Sequence, residues 1–245
     1  MRRLTLIIAP LIAIVPVGAA AAPQKIFAAA VANPARPADQ RQADALRLPA
    51  ETLAFSGVKP GMTVGEFYPG GGYFTWMISS VVGPEGHVYG IENDKWKGAV
   101  EADKKLEGEL KNVSMDVQPF GTVNFPKPID VAWVTQNYHD LKIAKYGVVD
   151  TLEFDRAVYK ALKPGGIFFI LDHEGAPGLS DADIEKLHRI NRDQVIKEVT
   201  SAGFKLADEG NFLRRPGDDH TLPIFDKKIQ GHTDQYALKF VKPKG

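Results

Sequence analysis

Three short stretches gather the residues that can do chemistry. "NYHDL", Asn137 to Leu141, places a phenol, an imidazole and a carboxylate at consecutive positions, Tyr138, His139 and Asp140. An imidazole can take a proton near pH 7 without an unusual pKa, so His139 is the candidate general base. Asp140 can orient its ring or bind substrate, and Tyr138 can hydrogen-bond a cofactor or position an acceptor. "DHEG", Asp172 to Gly175, adds a second carboxylate and the imidazole of His173. Histidine and aspartate in such places also cap loops, which is the structural alternative for both stretches. The third stretch, "EFYPGGGYFT", Glu66 to Thr75, sets three glycines between an apolar run and an amphipathic one. Glycine permits positive φ and puts no Cβ in the way, so this turn can bring backbone N–H groups against a ligand; it also suits a plain turn.

The surrounding chain alternates in a way that can hold these stretches together. "TVGEFY" reads as a strand, Tyr73 to Val82 as a helix, "GHVYGIE" as a strand and Lys97 to Leu110 as a polar helix. "VSMDV" and "IDVAWVTQN" follow as strands, then a helix over Val149 to Leu162 and the apolar strand "IFFILDH". Short apolar strands alternating with helices predict an α/β, doubly wound, mostly parallel sheet covered on both faces. Ser180 to Ala202 reads as one long helix, capped by Ser180 with Asp183 in its first turn. Two further strands, "GFKLADEGNFL" and "DQYALKFVK", flank a long polar rim loop, "RRPGDDHTLPIFDKKIQGHT".

Ligands of a doubly wound sheet bind at the carboxyl ends of its strands. The first such end carries Glu66 and Gly70 to Gly72, and the second carries Glu92. Glu92 follows Gly70 by about twenty positions, the distance at which an acid accepts hydrogen bonds from a ribose diol. Nicotinamide sites share this spacing, so it does not choose the cofactor.

The N-terminus reads as targeting information. Arg2 and Arg3, the apolar run Leu4 to Val17 and the alanines at 19–22 have the order of a secretory signal peptide, residues 1–21, cleaved between Ala20 and Pro23. That predicts a periplasmic or secreted protein without a stable transmembrane segment after cleavage. Residues 22–41, rich in alanine and proline, read as a flexible arm, either a tether or a surface-wrapping segment, and residues 42–245 as a single domain. The chain has 30 basic and 30 acidic residues, and loss of Arg2 and Arg3 with the leader leaves 28 against 30. That balance argues against a broad nucleic-acid surface. The absence of cysteine excludes disulfides, thiol catalysis and cysteine-ligated metals.

The stretch from "LRLPAETLAFSGVKPGMTVGEFYPGGGYFTWMISSVVGPEGHVYGIE", with "ALKPGGIFFILDH", "LHRI", "SAGFKL" and "HTDQYALKF", resembles the exported group of predicted S-adenosylmethionine-dependent methyltransferases with a class I fold. The resemblance spans about Arg41 to Pro243. It implies seven strands with the last, about Gln235 to Val241, antiparallel to the rest. It also implies S-adenosylmethionine as cofactor, with Glu66 as the strand-end acid, Gly70, Gly71 and Gly72 against the methionine portion, Glu92 on the ribose and Asp116 near the adenine. The turn departs from the superfamily's usual form in carrying Tyr68 and Pro69 ahead of its glycines. The methyl acceptor, a small molecule, lipid or protein, is unspecified, and transfer to oxygen or nitrogen is the expectation. A noncatalytic nucleoside- or metabolite-binding protein on the same scaffold is the alternative. A nicotinamide oxidoreductase is weaker because no GxGxxG turn is present. No metal is assigned, since no close-spaced zinc motif occurs, although His188 with His139 and His173 can in principle build a nitrogen-rich site.

Overall fold

The computed structural model describes residues 21–147 and 149–245. The signal-peptide reading, residues 1–21, lies outside them apart from its last residue. The chain opens with α1 (Ala21–Val31), the short α2 (Ala38–Arg41) and α3 (Asp44–Arg47), and α4 (Pro49–Ser56). Then follow β1 (Thr63–Phe67), α5 (Tyr73–Val82), β2 (His87–Asn93), α6 (Lys97–Glu109), β3 (Val113–Gln118) and β4 (Ile129–Thr135). A 3₁₀ turn (His139–Lys142) leads to α7 (Thr151–Ala161), β5 (Leu162–His173), α8 (Asp181–Leu187), α9 (Arg192–Ser201), β6 (Lys205–Gly210) and β7 (Gln235–Val241).

Among the described residues seven strands form one sheet in the order β3-β2-β1-β4-β5-β7-β6. Only β7 is reversed: it pairs antiparallel with both β5 and β6, while β1 to β5 pair in parallel. The order turns back between β1 and β4, which opens a crevice beyond their carboxyl ends. Both faces of the sheet are covered, so the central strands are apolar nearly throughout. On one face Val64, Val131, Trp133 and Phe169 pack against Phe27 of α1, Leu53 of α4 and Phe74 and Met77 of α5. On the other, Phe67, Val134, Phe168 and Ile170 meet Phe154 and Val158 of α7, Ile184 of α8 and Val195 and Val199 of α9. No described helix is long and apolar enough to cross a membrane.

Two expectations meet a different structure. The segment read as a flexible arm contains α1, whose Phe27 and Ala30 are buried in the core. Arg36, also buried, then forks onto Asp44 with two bonds of 2.8 Å, which fixes the rest of the segment against the domain. The single helix expected over Ser180 to Ala202 is two helices. Ser180 and Asp183 do form the expected capping box. His188, however, ends α8 in the left-handed conformation (φ 53°), and Asn191 caps α9 by accepting from the Asp193 N–H. The break is held by Ile190, whose N–H donates to the His173 carbonyl and whose own carbonyl accepts from Gly175 N–H.

Candidate active site

The β1–α5 turn is left-handed at Tyr68 (φ 56°) and again at Gly70, Gly71 and Gly72 (58°, 90° and 82°). Such angles suit glycine and strain tyrosine. The amides this turn exposes are taken by the protein itself. Gly70 N–H donates to Glu92 Oε2 at 3.1 Å, and Gly71 N–H to Asp103 Oδ1 of α6 at 3.0 Å. Glu92 Oε1 accepts from its neighbour Asn93 N–H at 2.7 Å, and the residue has no exposed surface. A side chain at Gly72 would collide with Leu106, because α6 lies directly on the turn. Burial raises the pKa of Glu92, and the adjoining Asp103 carboxylate raises it further; Asp103 is raised too, chiefly by burial. Burial and mutual repulsion thus both oppose ionising the two carboxyls together.

Beside this sealed pair lies a cavity of about 530 Å³ at the carboxyl ends of β1, β4 and β5. Glu66 reaches it from β1. Its Oε2 accepts from Thr75 Oγ1 at 2.6 Å, and burial, reinforced by the nearby Asp103 and Glu92, pushes its pKa up to about 8. One wall is aromatic: the Tyr68 ring lies 5.7 Å from Trp96, and Trp96 lies 5.1 Å from Tyr146. Across from it, Arg47 sits 3.9 Å over the Tyr73 ring and donates to Gln136 Oε1 at 3.1 Å. Three non-glycine residues with positive φ line this cavity, Tyr68, Gln136 (62°) and His188 (53°). Strained backbone persists where surrounding structure over-determines it, and it gathers at functional sites.

The polar end of the cavity is built on His139. Its Nδ1–H donates to Asp172 Oδ1 at 2.7 Å, and its backbone N–H donates to Asp172 Oδ2 at 2.8 Å. Its Nε2 lies 3.3 Å from Asp140 Oδ1 and 3.3 Å from His188 Nδ1. Burial opposes a charge on His139, but Asp172 and Asp140 outweigh it and raise the pKa to about 10. Asp140 is buried, which alone would raise its pKa, yet His139 and His188 hold it far below the ordinary range. His173 goes the other way: burial, with the positive charge of His139, holds it neutral while it bonds Thr233 Oγ1 at 2.8 Å.

The structure therefore brings Glu66, Gly70, His139 and Asp140 to one cavity and separates the rest of the expected set. Glu92 and Gly71 face each other's neighbours behind the turn, and Gly72 faces α6. Asp116 points to solvent on β3, where it accepts from Gln118 Nε2 at 2.7 Å, away from the cavity. Tyr138 is fully buried and donates to Asp155 Oδ2 at 2.9 Å under α7, so it does not reach a ligand in the cavity. His139 stands between two carboxylates, Asp172 at Nδ1 and Asp140 at Nε2, and does not lie free in the cavity. Sequence reasoning missed Asp103, Arg47 and Trp96. Asp103 sits between Ala102 and Leu106 on a helix read only as polar, and the spacing of that apolar pair was the available signal.

Among solved structures the chain resembles an S-adenosylmethionine-dependent methyltransferase from Aquifex aeolicus, with 19% identity, 83% of this chain and 98% of that one covered, and a TM-score of 0.57. An S-adenosylmethionine-dependent methyltransferase from Mesorhizobium loti gives 13% identity, 82% and 98% coverage and a TM-score of 0.55. The [4+2]-cyclase SpnF gives 17% identity, 82% coverage of both chains and a TM-score of 0.58, so the fold is not confined to one chemistry. Demethylmenaquinone methyltransferase of Listeria monocytogenes is 27% identical over 122 residues, 50% of this chain and 49% of that protein. The chain thus spans about half the length of the curated relatives it matches. No family model matches it. Sheet order, the reversed seventh strand and these likenesses agree on one conclusion: the chain has a doubly wound, class I methyltransferase-like fold with its cavity at the strand-order reversal.

Proposed function

We propose that the cavity binds S-adenosylmethionine and that the protein transfers its methyl group to an oxygen or nitrogen acceptor. The observation that carries this reading is Glu66, a buried acid with no cationic partner within hydrogen-bonding distance among the described residues, opening onto a cavity of nucleoside size on this fold. A ligand bearing positive charge fits there, because it stabilises the ionised form that burial disfavours. The edge-to-face rings of Tyr68 and Trp96 offer apolar aromatic contact for a purine base, and Gly70 lets a ligand approach the turn without a side chain between. When bound, S-adenosylmethionine supplies a methyl group made electrophilic by its sulfonium. The chain's own part is to hold the two reactants in line and exclude water: Glu66 and the aromatic wall take the cofactor, and the His139–Asp140 end receives the acceptor. Arg47 and Gln136 close the space between them.

One observation favours a second reading, a noncatalytic nucleoside- or metabolite-binding protein. Glu92 already accepts from the Gly70 and Asn93 amides and Asp103 from the Gly71 amide, so the groups expected to meet a ribose are engaged with one another's neighbours instead of with the cavity. Calorimetry with S-adenosylmethionine, its demethylated product and NAD separates the readings, followed by a tritiated-methyl search in a periplasmic extract. Binding of S-adenosylmethionine in preference to NAD, with label transferred to an extract component, is the expected result; no binding of S-adenosylmethionine refutes the enzyme. The same proposal takes the chain to be exported, on the order of residues 2–21 alone. Mass spectrometry of the native protein should give an N-terminus between Ala20 and Pro23, and retained Met1 or Arg2 counts against it.

A further inference from the structure

We propose that His139, Asp140 and His188 form a binding site for one divalent transition-metal ion in the cavity wall, with an open position toward the cavity. The proposal does not rest on S-adenosylmethionine. The three donor atoms form a nearly equilateral triangle: His139 Nε2 to His188 Nδ1 is 3.3 Å, His139 Nε2 to Asp140 Oδ1 is 3.3 Å and His188 Nδ1 to Asp140 Oδ1 is 3.5 Å. A tetrahedral ion with bonds of about 2.1 Å sets its donors about 3.4 Å apart, and an octahedral ion sets adjacent donors about 3.0 Å apart. The observed edges match the tetrahedral spacing. All three side chains are at least nine-tenths buried. Among the described residues Asp140 Oδ1 finds no well-formed hydrogen bond, although it is buried and directed at the two imidazoles.

The supporting groups are arranged as they are around metal ligands. Asp172 takes the Nδ1–H of His139 at 2.7 Å, which fixes the ring's orientation and turns Nε2 toward the triangle, where a metal ion would take the place of the Nε2 proton. Asp172 is itself held by the N–H groups of His139 and His173. Asn137 Nδ2 donates to the other oxygen of Asp140 at 2.9 Å, leaving Oδ1 for the centre. His188 gains its place from the break between α8 and α9. The next residue, Arg189, is fully buried and clamps Asp218 with bonds of 3.0 and 2.8 Å, which anchors the strained backbone that aims His188 inward. Two buried carboxylates, Asp140 and Asp172, thus converge on two imidazoles, and a dication balances them. Two imidazoles and one carboxylate suit zinc, iron, cobalt or nickel rather than magnesium or calcium. Three protein donors with one open position are the arrangement of a catalytic metal, so the ion would take an oxygen or nitrogen atom of the cavity's ligand.

Chelator-stripped protein titrated with zinc, and separately with cobalt(II), tests this without S-adenosylmethionine or any activity assay. Its outcome is therefore independent of the methyl-transfer reading. One ion per chain is expected by calorimetry, with a visible cobalt spectrum of tetrahedral type. Asp140→Asn and His188→Asn should each weaken binding at least tenfold, asparagine at 188 being tolerant of the left-handed backbone. Asp172→Asn should cost about ten- to a hundredfold, and His232→Asn, on an exposed loop, should change nothing. Circular dichroism establishes that each variant is folded. Should the variants fail to fold, zinc-edge X-ray absorption of the wild-type protein decides: a first shell with two imidazoles is expected. No stoichiometric binding, unchanged affinity in folded Asp140→Asn and His188→Asn, or a shell without imidazole overturns the site.

Discussion

Glu66→Gln should stabilise the protein at neutral pH and remove part of its pH dependence. Glu66 is 2% exposed, and its pKa is pushed up from the ordinary 4.5 to about 8, chiefly by burial and further by Asp103 and Glu92. Below about pH 4.5 the folded and unfolded chains are both protonated at this position, and the acid exerts no linkage. Between 4.5 and about 8 the folded chain keeps a proton that the unfolded chain has released, so stability falls as pH rises; above about 8 the loss is complete. At pH 7 the cost is roughly 3 kcal/mol, from about 1.4 kcal/mol per pH unit over the interval. Glutamine imitates the protonated acid. Its carbonyl oxygen can still accept from Thr75, and its amide takes the place of the carboxyl O–H. Urea unfolding followed by the fluorescence of Trp76, Trp96 and Trp133 at pH 5, 6, 7 and 8 measures the effect. The variant should match the wild type near pH 5 and exceed it increasingly toward pH 8. A difference that stays constant across this range refutes the assignment of a buried, protonated Glu66.

The same residue predicts a ligand effect: S-adenosylmethionine should bind wild-type protein more tightly as pH rises from 6 to 8, by up to about tenfold per unit, and Glu66→Gln should abolish that slope. Calorimetry at three pH values reads both. Asp218→Ala should cost roughly 3 to 5 kcal/mol, because it leaves the buried Arg189 guanidinium unpaired and frees the N–H groups of His220 and Asp234. A loss under 1 kcal/mol in urea unfolding would mean that the clamp is not formed. Phe27→Ala should cost about 3 kcal/mol if α1 is part of the core, whereas a detached arm predicts no change in the unfolding midpoint.

The alternation of apolar strands and helices, set by local periodicity, was enough to predict the doubly wound sheet, and the motif resemblance added the reversed last strand. Ser180 with Asp183 announced its cap because the capping box is a contact between residues three apart. Strand ends likewise announced Glu66 and the "NYHDL" segment, since the carboxyl ends of such a sheet are fixed by topology. Which way a side chain points from those ends was not legible. Within the four residues around the 3₁₀ turn, Tyr138 goes into the core under α7 and His139 into the cavity, a choice made by Asp155 and Asp172 from distant strands and helices. Glu92 has the right spacing for a ribose, but α6 brings Asp103 against the same turn and seals it. The helix break at His188 was hidden because Ile184, Leu187, Val195 and Val199 keep a helical spacing across it; Asn191, a good cap, was the one local sign. Periodicity records which residues seek the core, and it carries no information about which buried polar groups will share a space. That sharing is decided by long-range packing, and it is what assembled His139, Asp140 and His188 from two segments 49 residues apart.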